Sequence, residues 1–186
     1  MVLDFFKEFV RNPVSTGAIA PSSDELAELI TDKAELKDKK LIVELGSGTG
    51  IFTEKIMRKK DKNSDFIVFE INPKFVKETK KRVPDVKIYN DSAVNIKKYI
   101  NKKADCIISE LPWAGFSEKL QNKLLNSVLN SLKPNGVFLT FAYIHGVILP
   151  TGRRFKQKLN SKFKGVKTTR IVWKNMPPAF AYVARK

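Results

Sequence analysis

Apolar residues along this chain fall into two alternating periods. Short continuous runs, "KLIVELG" (40–46), "DFIVFEI" (65–71), "VKIYND" (86–91), "ADCIISE" (104–110) and "VFLTFAY" (137–143), read as buried strands. Between them lie stretches with helical spacing, beginning after Gly50, Pro73, Ser92 and Ser117; in 117–132, Leu120, Leu124, Val128 and Leu132 share one face, and "KPNG" supplies a stop. Strand and helix in alternation predict a parallel, doubly wound sheet. The tail breaks the rhythm. "RRFKQKLNSKF" reads as a helix, and "VKTTRIVW" and "AFAYVAR", separated by "NMPP", read as an antiparallel strand pair at one sheet edge. At the other end, Val2, Phe5, Phe6, Phe9 and Val10 form an amphipathic helical pattern. "RNP" ends it, "STGAIAP" reads as an extended loop, and Ser22 with Glu25 has capping-box spacing at the start of a second helix.

A length of 186 residues with 42% hydrophobic content and no repeat predicts a single domain over 1–186, with 1–31 as a helical extension. The one cysteine, Cys106, sits in an apolar run and excludes an internal disulfide; it reads as inert and compatible with a reducing cytoplasm. Asp4, Lys7 and Glu8 interrupt any secretory signal core, and the most apolar later stretch contains His145 and Gly146 and is too short to span a bilayer.

Charge changes the picture more. The net charge is +16, and Glu118 is the last acid: residues 1–118 carry 21 Lys and Arg against 19 acids, whereas 119–186 carry 14 and none. An ordinary solvated face mixes both signs, so the C-terminal part faces a polyanion, either nucleic acid or an anionic membrane.

The candidate chemistry lies at the strand ends. "VELGSGTG" places Gly46, Gly48 and Gly50 in a strand-to-helix turn, where a ligand approaches bare backbone. Ile51 stands where a dinucleotide fingerprint wants glycine, which argues against NAD or FAD. Glu70 closes the second strand and suits a ribose diol; Asp91 closes the third and suits an adenine amine. "SELPW" (109–113) ends the fourth, because Pro112 cannot continue a ladder. Trp113 then either faces a ligand beyond the strand or packs into the core.

These features resemble class I S-adenosylmethionine-dependent methyltransferases: "ELGSGTG" looks like their motif I, "FEIN" their motif II and "NDS" their adenine-contacting turn. The resemblance implies a Rossmann-like α/β fold with a seven-stranded, mostly parallel sheet in the order 3-2-1-4-5-7-6. Strand 7 would be antiparallel, with helices on both faces and an N-terminal amphipathic helix. It also implies S-adenosylmethionine as cofactor, S-adenosylhomocysteine (SAH) as product, and a cofactor site including Glu44, Gly46, Ser47, Gly48, Gly50, Glu70, Ile71, Asp91 and Ser92.

"SELPW" resembles the acceptor motif of amine methyltransferases, which rRNA adenine dimethyltransferases and bacterial phospholipid N-methyltransferases share. The first carry an additional helical RNA-binding domain, for which this chain shows no room. The second are similar over nearly the whole chain, through "RNPVSTGAIAPSS", "LPWAGF", "PTGRRF" and "VWKNMPPAF". That resemblance adds Thr16 and Gly17 to the cofactor site. It implies methylation of phosphatidylethanolamine and its mono- and dimethyl forms towards phosphatidylcholine, with RNA adenine modification or RNA binding as the alternative. The family has glycine where this chain has Glu110, which is read here as a residue of both the cofactor and the catalytic site.

Ser109, Glu110, Leu111, Trp113 and His145 are the expected catalytic residues, His145 as proton acceptor. Trp113, Tyr143, His145, Arg153 and Arg154 are expected at the substrate, the arginines on a lipid phosphate. Trp173 is a further candidate wall of the site, or core. The Phe5–Phe6–Phe9 helix is expected to anchor at an interface, to act as a lid, or both. A monomer is expected on the cytoplasmic membrane's inner leaflet, partnered by an anionic membrane surface and a phospholipid, with no metal and no stable nucleic acid.

Overall fold

A computed structural model of the chain describes residues 22–186. Thr16, Gly17 and the amphipathic segment 1–10 lie outside the described residues. Helix α1 (Asp24–Lys33) is capped by Ser23, whose hydroxyl accepts from the Leu26 N–H at 3.2 Å. The cap is thus one residue later than the Ser22–Glu25 spacing predicts, and Glu25 instead meets Arg170 at 3.0 Å. From there strand and helix alternate: β1 (Leu41–Leu45), α2 (Ile51–Lys59), β2 (Asp65–Phe69), α3 (Pro73–Arg82), β3 (Lys87–Tyr89), β4 (Ala104–Ser109), α4 (Glu118–Ser131) and β5 (Leu132–Tyr143). Two more helices, α5 (Ile144–Ile148) and α6 (Pro150–Lys162), precede β6 (Gly165–Thr168) and β7 (Ala179–Arg185). The helix expected after Ser92 is a 3-10 turn, Ala93–Lys98, capped by the Ser92 side chain.

The sheet order is β3-β2-β1-β4-β5-β7-β6, with β7 antiparallel to both neighbours and all other pairs parallel. Alternate residues of the buried strands feed two cores. Leu41, Val43 and Leu45 of β1 join Leu120, Leu124 and Val128 of α4 and Phe155 and Leu159 of α6 on one face. Ile42 joins Leu26 and Ile30 of α1 and Phe52 and Ile56 of α2 on the other. Cys106 lies in this second core, and burial pushes its thiol up to about 12, so it is unreactive as expected.

Strand β5 begins earlier than its apolar run. Leu132 already pairs with Ala104, yet Cys106 pairs with Val137, so "KPNG" is looped out as an irregularity in the strand and does not end the helix. Asn135 takes φ 61° there, and a Cβ on Gly136 would come within 2.8 Å of Leu132 Cγ. Because β1 runs toward β2 on one side and toward β4 on the other, the chain reverses its winding between β1 and β4. A crevice forms outside the carboxyl ends of such strands.

Candidate active site

The turn after β1 is built from backbone alone. Gly46, Gly48 and Gly50 adopt φ values of 79°, 51° and 82°, a region disfavoured for residues bearing a Cβ. Two of the three are also pressed by neighbours: a Cβ on Gly46 would lie 3.0 Å from Leu111 Cδ2, and one on Gly50 would lie 3.1 Å from Thr79 Cα. At Gly48 a Cβ would meet nothing within 4 Å. Here the loop turns bare backbone toward open space, as a bound ligand requires. Ser47, expected among the cofactor residues, has its hydroxyl engaged inside the protein. It is buried and hydrogen-bonded to Thr79 Oγ1 at 2.9 Å, which ties the loop to α3.

Glu70, just past β2, is buried; Oε2 accepts from the Gly48 N–H at 3.2 Å and Oε1 from the Asn72 N–H at 2.8 Å. Burial outweighs these backbone donors and holds its carboxyl above the usual range. The Asn90 amide donates to the Glu70 and Ile71 carbonyls at 2.9 and 3.0 Å, lashing the ends of β2 and β3 together. Asp91 follows, with Oδ1 accepting from Ser92 N and Asn95 Nδ2 and Oδ2 from Tyr99 Oη at 2.7 Å. Burial opposes its charge, but the Tyr99, Asn95 and Ser92 hydrogen bonds prevail and hold the carboxyl below the usual range. Phe69, Tyr89 and Tyr99 cluster beside it, with Tyr89 and Tyr99 centroids 4.2 Å apart. Thr79, Asn90 and Tyr99 were not singled out in the sequence. Thr79 and Asn90 act through partners 32 and 20 residues away and Tyr99 through Asp91, eight residues before it, so the "NDS" motif that contains Asn90 does not itself reveal these contacts.

The β1 and β4 ends bring two more carboxyls together. Glu44 is fully buried, with Oε2 accepting from Thr53 Oγ1 at 2.8 Å, and its carboxyl lies close enough to that of Glu110 for each to shift the other. Burial pushes Glu44 up to about 7, with the Glu70 charge adding to the shift. Burial also drives Glu110 well above its ordinary value, reinforced by the Glu44 charge, the Glu44 hydrogen bond and the Glu70 charge. The Tyr143 phenol is raised by burial and by the charge of Glu110. Its ring stacks on exposed His145 with centroids 5.6 Å apart. Glu44, Glu70, Glu110, the glycine turn, Tyr143 and His145 therefore form one connected group.

Other expected residues have different roles. Trp113 is buried in a 3-10 turn (Trp113–Gly115), stacked on Phe155 at 4.5 Å and edge-on to Phe116 and Phe138. The ring face expected to meet an amine is taken by Phe155, so this expectation is corrected: Trp113 is core. Ser109 is likewise internal. Its hydroxyl accepts from Leu111 N at 3.3 Å and Trp113 Nε1 at 3.2 Å. Leu111 is buried against the glycine turn, and its carbonyl accepts from Trp113 N at 2.9 Å. The arginine pair is split: Arg154 turns to Glu118 at 3.8 Å, while Arg153 is exposed at the start of α6. Trp173 is neither core nor wall but 68% exposed.

Among the described residues no group of three His, Cys, Asp or Glu could hold a metal ion, and no helix is long and apolar enough to cross a membrane.

Residues 22–164 match the ribosomal RNA adenine dimethylase family. The chain is 26% identical over 188 residues to the ornithine lipid N-methyltransferase of Singulisphaera acidiphila, covering 97% of this chain and 94% of that protein. Among solved structures, an O-methyltransferase from Bacillus cereus in complex with SAH superposes with a TM-score of 0.73 at 14% identity, covering 98% of this chain and 91% of that one. An rRNA methylase from Streptococcus thermophilus gives 0.63 at 13% identity, covering 86% and 93%.

Proposed function

The chain belongs to the ribosomal RNA adenine dimethylase family and is an S-adenosylmethionine-dependent methyltransferase, and from that premise we propose that its acceptor is the headgroup amine of a membrane lipid. The proposed lipid is phosphatidylethanolamine, with its mono- and dimethyl forms, carried towards phosphatidylcholine.

One observation carries this reading: a rim of exposed apolar side chains beside the site. Ile148 and Leu149, at the end of α5, are 62% and 48% exposed; Trp173 and Met176, in the β6–β7 connection, are 68% and 70% exposed. The two segments are joined at their bases by the Ile144 N–H to Pro178 carbonyl bond of 3.0 Å, and the Val172–Ala179 bridge closes the base of the second. Tyr143, which feels the Glu110 charge, and His145, stacked on it, lie at that junction. Arg153, Lys156 and Lys174, in the same stretches of chain or just after them, are also exposed. Apolar tips among cations suit insertion into an anionic lipid surface, where each cation contributes about 1 kcal/mol. The near full-length likeness to a protein named as a lipid N-methyltransferase supports the same acceptor class.

In this reading Glu70 meets the ribose diol, Asp91 the adenine amine and the Gly46–Gly50 backbone the amino-acid part of the cofactor, which supplies an electrophilic methyl on a sulfonium. The protein's tasks are to align a neutral amine with that methyl, to exclude water and to remove a proton. Glu110, Tyr143 and His145 are the polar groups placed for this. Arg153 is the cation available to a lipid phosphate, since Arg154 is engaged with Glu118. The enzyme would work at the inner leaflet of the cytoplasmic membrane.

The family's RNA-modifying members and the 14 acid-free cations of residues 119–186 favour RNA as the second reading. Vesicles containing phosphatidylethanolamine, ornithine lipid or phosphatidylglycerol alone, each given methyl-labelled cofactor, separate the acceptors by chromatography of the extracted lipid. Label in methylated phosphatidylethanolamine is expected. Label only in ornithine lipid would replace the headgroup, and no lipid label in any sample would contradict the proposal.

A further inference from the structure

Two neighbouring carboxyls, Glu44 fully buried and Glu110 half-buried, pose a problem of proton count. Glu44 Oε1 and Glu110 Oε1 are both shut off from solvent, and neither has a hydrogen-bond partner among the described residues. Among the described residues, no lysine, arginine or histidine pairs with either. The groups facing them are Thr53 from α2, which donates to Glu44 Oε2, Glu70 from the β2 end, and Tyr143 from the β5 end. Glu70 adds negative charge, and Tyr143 is a neutral phenol. Two neighbouring carboxylates without a cation cannot both stay ionised, so one proton must lie between them.

Their position gives the proton a use. Glu44 is the penultimate residue of β1 and Glu110 follows β4, so the pair straddles the point where the sheet reverses its winding. In the roles proposed above, Glu70 and Asp91 would hold the nucleoside on the β2–β3 side, which would leave the cationic end of the cofactor to the β1–β4 side.

We propose that Glu44 and Glu110 form a proton-sharing pair that reads the charge on the cofactor sulfur, releasing its proton when the sulfonium binds and regaining one when the methyl has left. The exchange balances. The paired monoanion loses H⁺ to solvent as a positive sulfur arrives and becomes a dianion. When the sulfur is a neutral thioether, the dianion takes up H⁺ again. The pair therefore favours the methyl donor over the demethylated product and assists product exchange. Glycine at position 110, as in the phospholipid N-methyltransferases that the sequence resembles, could not do this. The inference rests on the cofactor assignment and not on the acceptor.

Isothermal titration of the full chain at neutral pH, in two buffers of different ionisation enthalpy, counts the protons. The probes are S-adenosylmethionine, SAH, sinefungin (an amine in place of the sulfonium) and 5′-methylthioadenosine (neither sulfonium nor amino acid). About one proton should leave with S-adenosylmethionine and with sinefungin, and close to none with the other two. Glu110→Gln and Glu110→Gly should erase that difference and reduce the preference for S-adenosylmethionine over SAH by roughly tenfold or more. Equal proton release with S-adenosylmethionine and SAH would overturn the proposal, because the pair would then be reading the α-ammonium. An unchanged preference in both variants, with circular dichroism showing them folded, would also overturn it. If the variants do not fold, the wild-type proton counts decide. Failure of S-adenosylmethionine to bind at all would instead strike the cofactor assignment.

Discussion

Replacing Glu44 with glutamine should change how stability depends on pH before any ligand is added. The Glu44 carboxyl has a folded pKa of about 7 against an ordinary 4.5, raised by burial. Between those values the folded state holds more protons than the unfolded chain, so stability falls as pH rises. The contribution is fully present below the unfolded pKa and is lost as pH climbs through the folded one. From about pH 5 to about pH 8 a shift of this size removes on the order of 2–3 kcal/mol. For a chain of this length that corresponds to roughly 5–10 °C in the unfolding midpoint. Other carboxylates, such as Asp105 bound to Lys133 at 2.7 Å, lose stabilising pairs in acid and mask the effect in the wild type alone. The useful quantity is therefore the wild-type midpoint minus the Glu44→Gln midpoint, followed by differential scanning fluorimetry or circular dichroism. An amide still accepts from Thr53 and donates to Glu110 without titrating. The difference should shrink by several degrees from pH 5 to pH 8. A difference that is flat, or that grows with pH, would refute the raised affinity of the Glu44 carboxyl for its proton.

Three further outcomes follow from the geometry. Glu70→Ala should weaken S-adenosylmethionine binding by roughly 10- to 100-fold, about 1.5–3 kcal/mol, and Gly48→Val should also weaken it, because its side chain would enter the open space beside the loop. Both should remain folded, the valine at a conformational cost of about 1–2 kcal/mol; calorimetry showing wild-type affinity for both would remove the assigned cofactor site. Trp113→Ala should cost about 3–5 kcal/mol in denaturant unfolding as a core truncation, whereas a loss well under 1 kcal/mol with a raised acceptor KM would restore it to the substrate site. The double variant Trp173→Ala, Met176→Ala should leave the unfolding midpoint within a degree or two while reducing sedimentation with anionic vesicles. A lowered midpoint with unchanged vesicle binding would assign these side chains to packing instead of to lipid.

The elements that position the site were legible because they are local. A glycine turn between a buried strand and a helix carries its own signature, and so do acids that close successive strands. The sheet order followed from the family resemblance and from the tail's two consecutive strands, and both agree with the structure. Trp113 was not decidable, since a tryptophan after a strand-ending proline reads the same whether it faces a ligand or the core. Phe155, from a helix far along the chain, settles it by stacking at 4.5 Å. The start of β5 was hidden for a similar reason: Leu132 extends the helical spacing of α4, but pairing with Ala104 draws it into the sheet. The Glu44–Glu110 contact needed both the neighbouring positions of β1 and β4 and the burial of Glu44, and neither carboxyl alone marks a pair.

The acceptor is tested most directly by offering both polyanions at once. Purified protein, methyl-labelled S-adenosylmethionine, mixed vesicles containing phosphatidylethanolamine and anionic lipid, and total RNA share one tube, which is then extracted with chloroform. The account predicts label in the chloroform phase, dependent on Glu70 and reduced when Trp173 and Met176 are truncated. Label that stays with the RNA, and is released by ribonuclease, would contradict it.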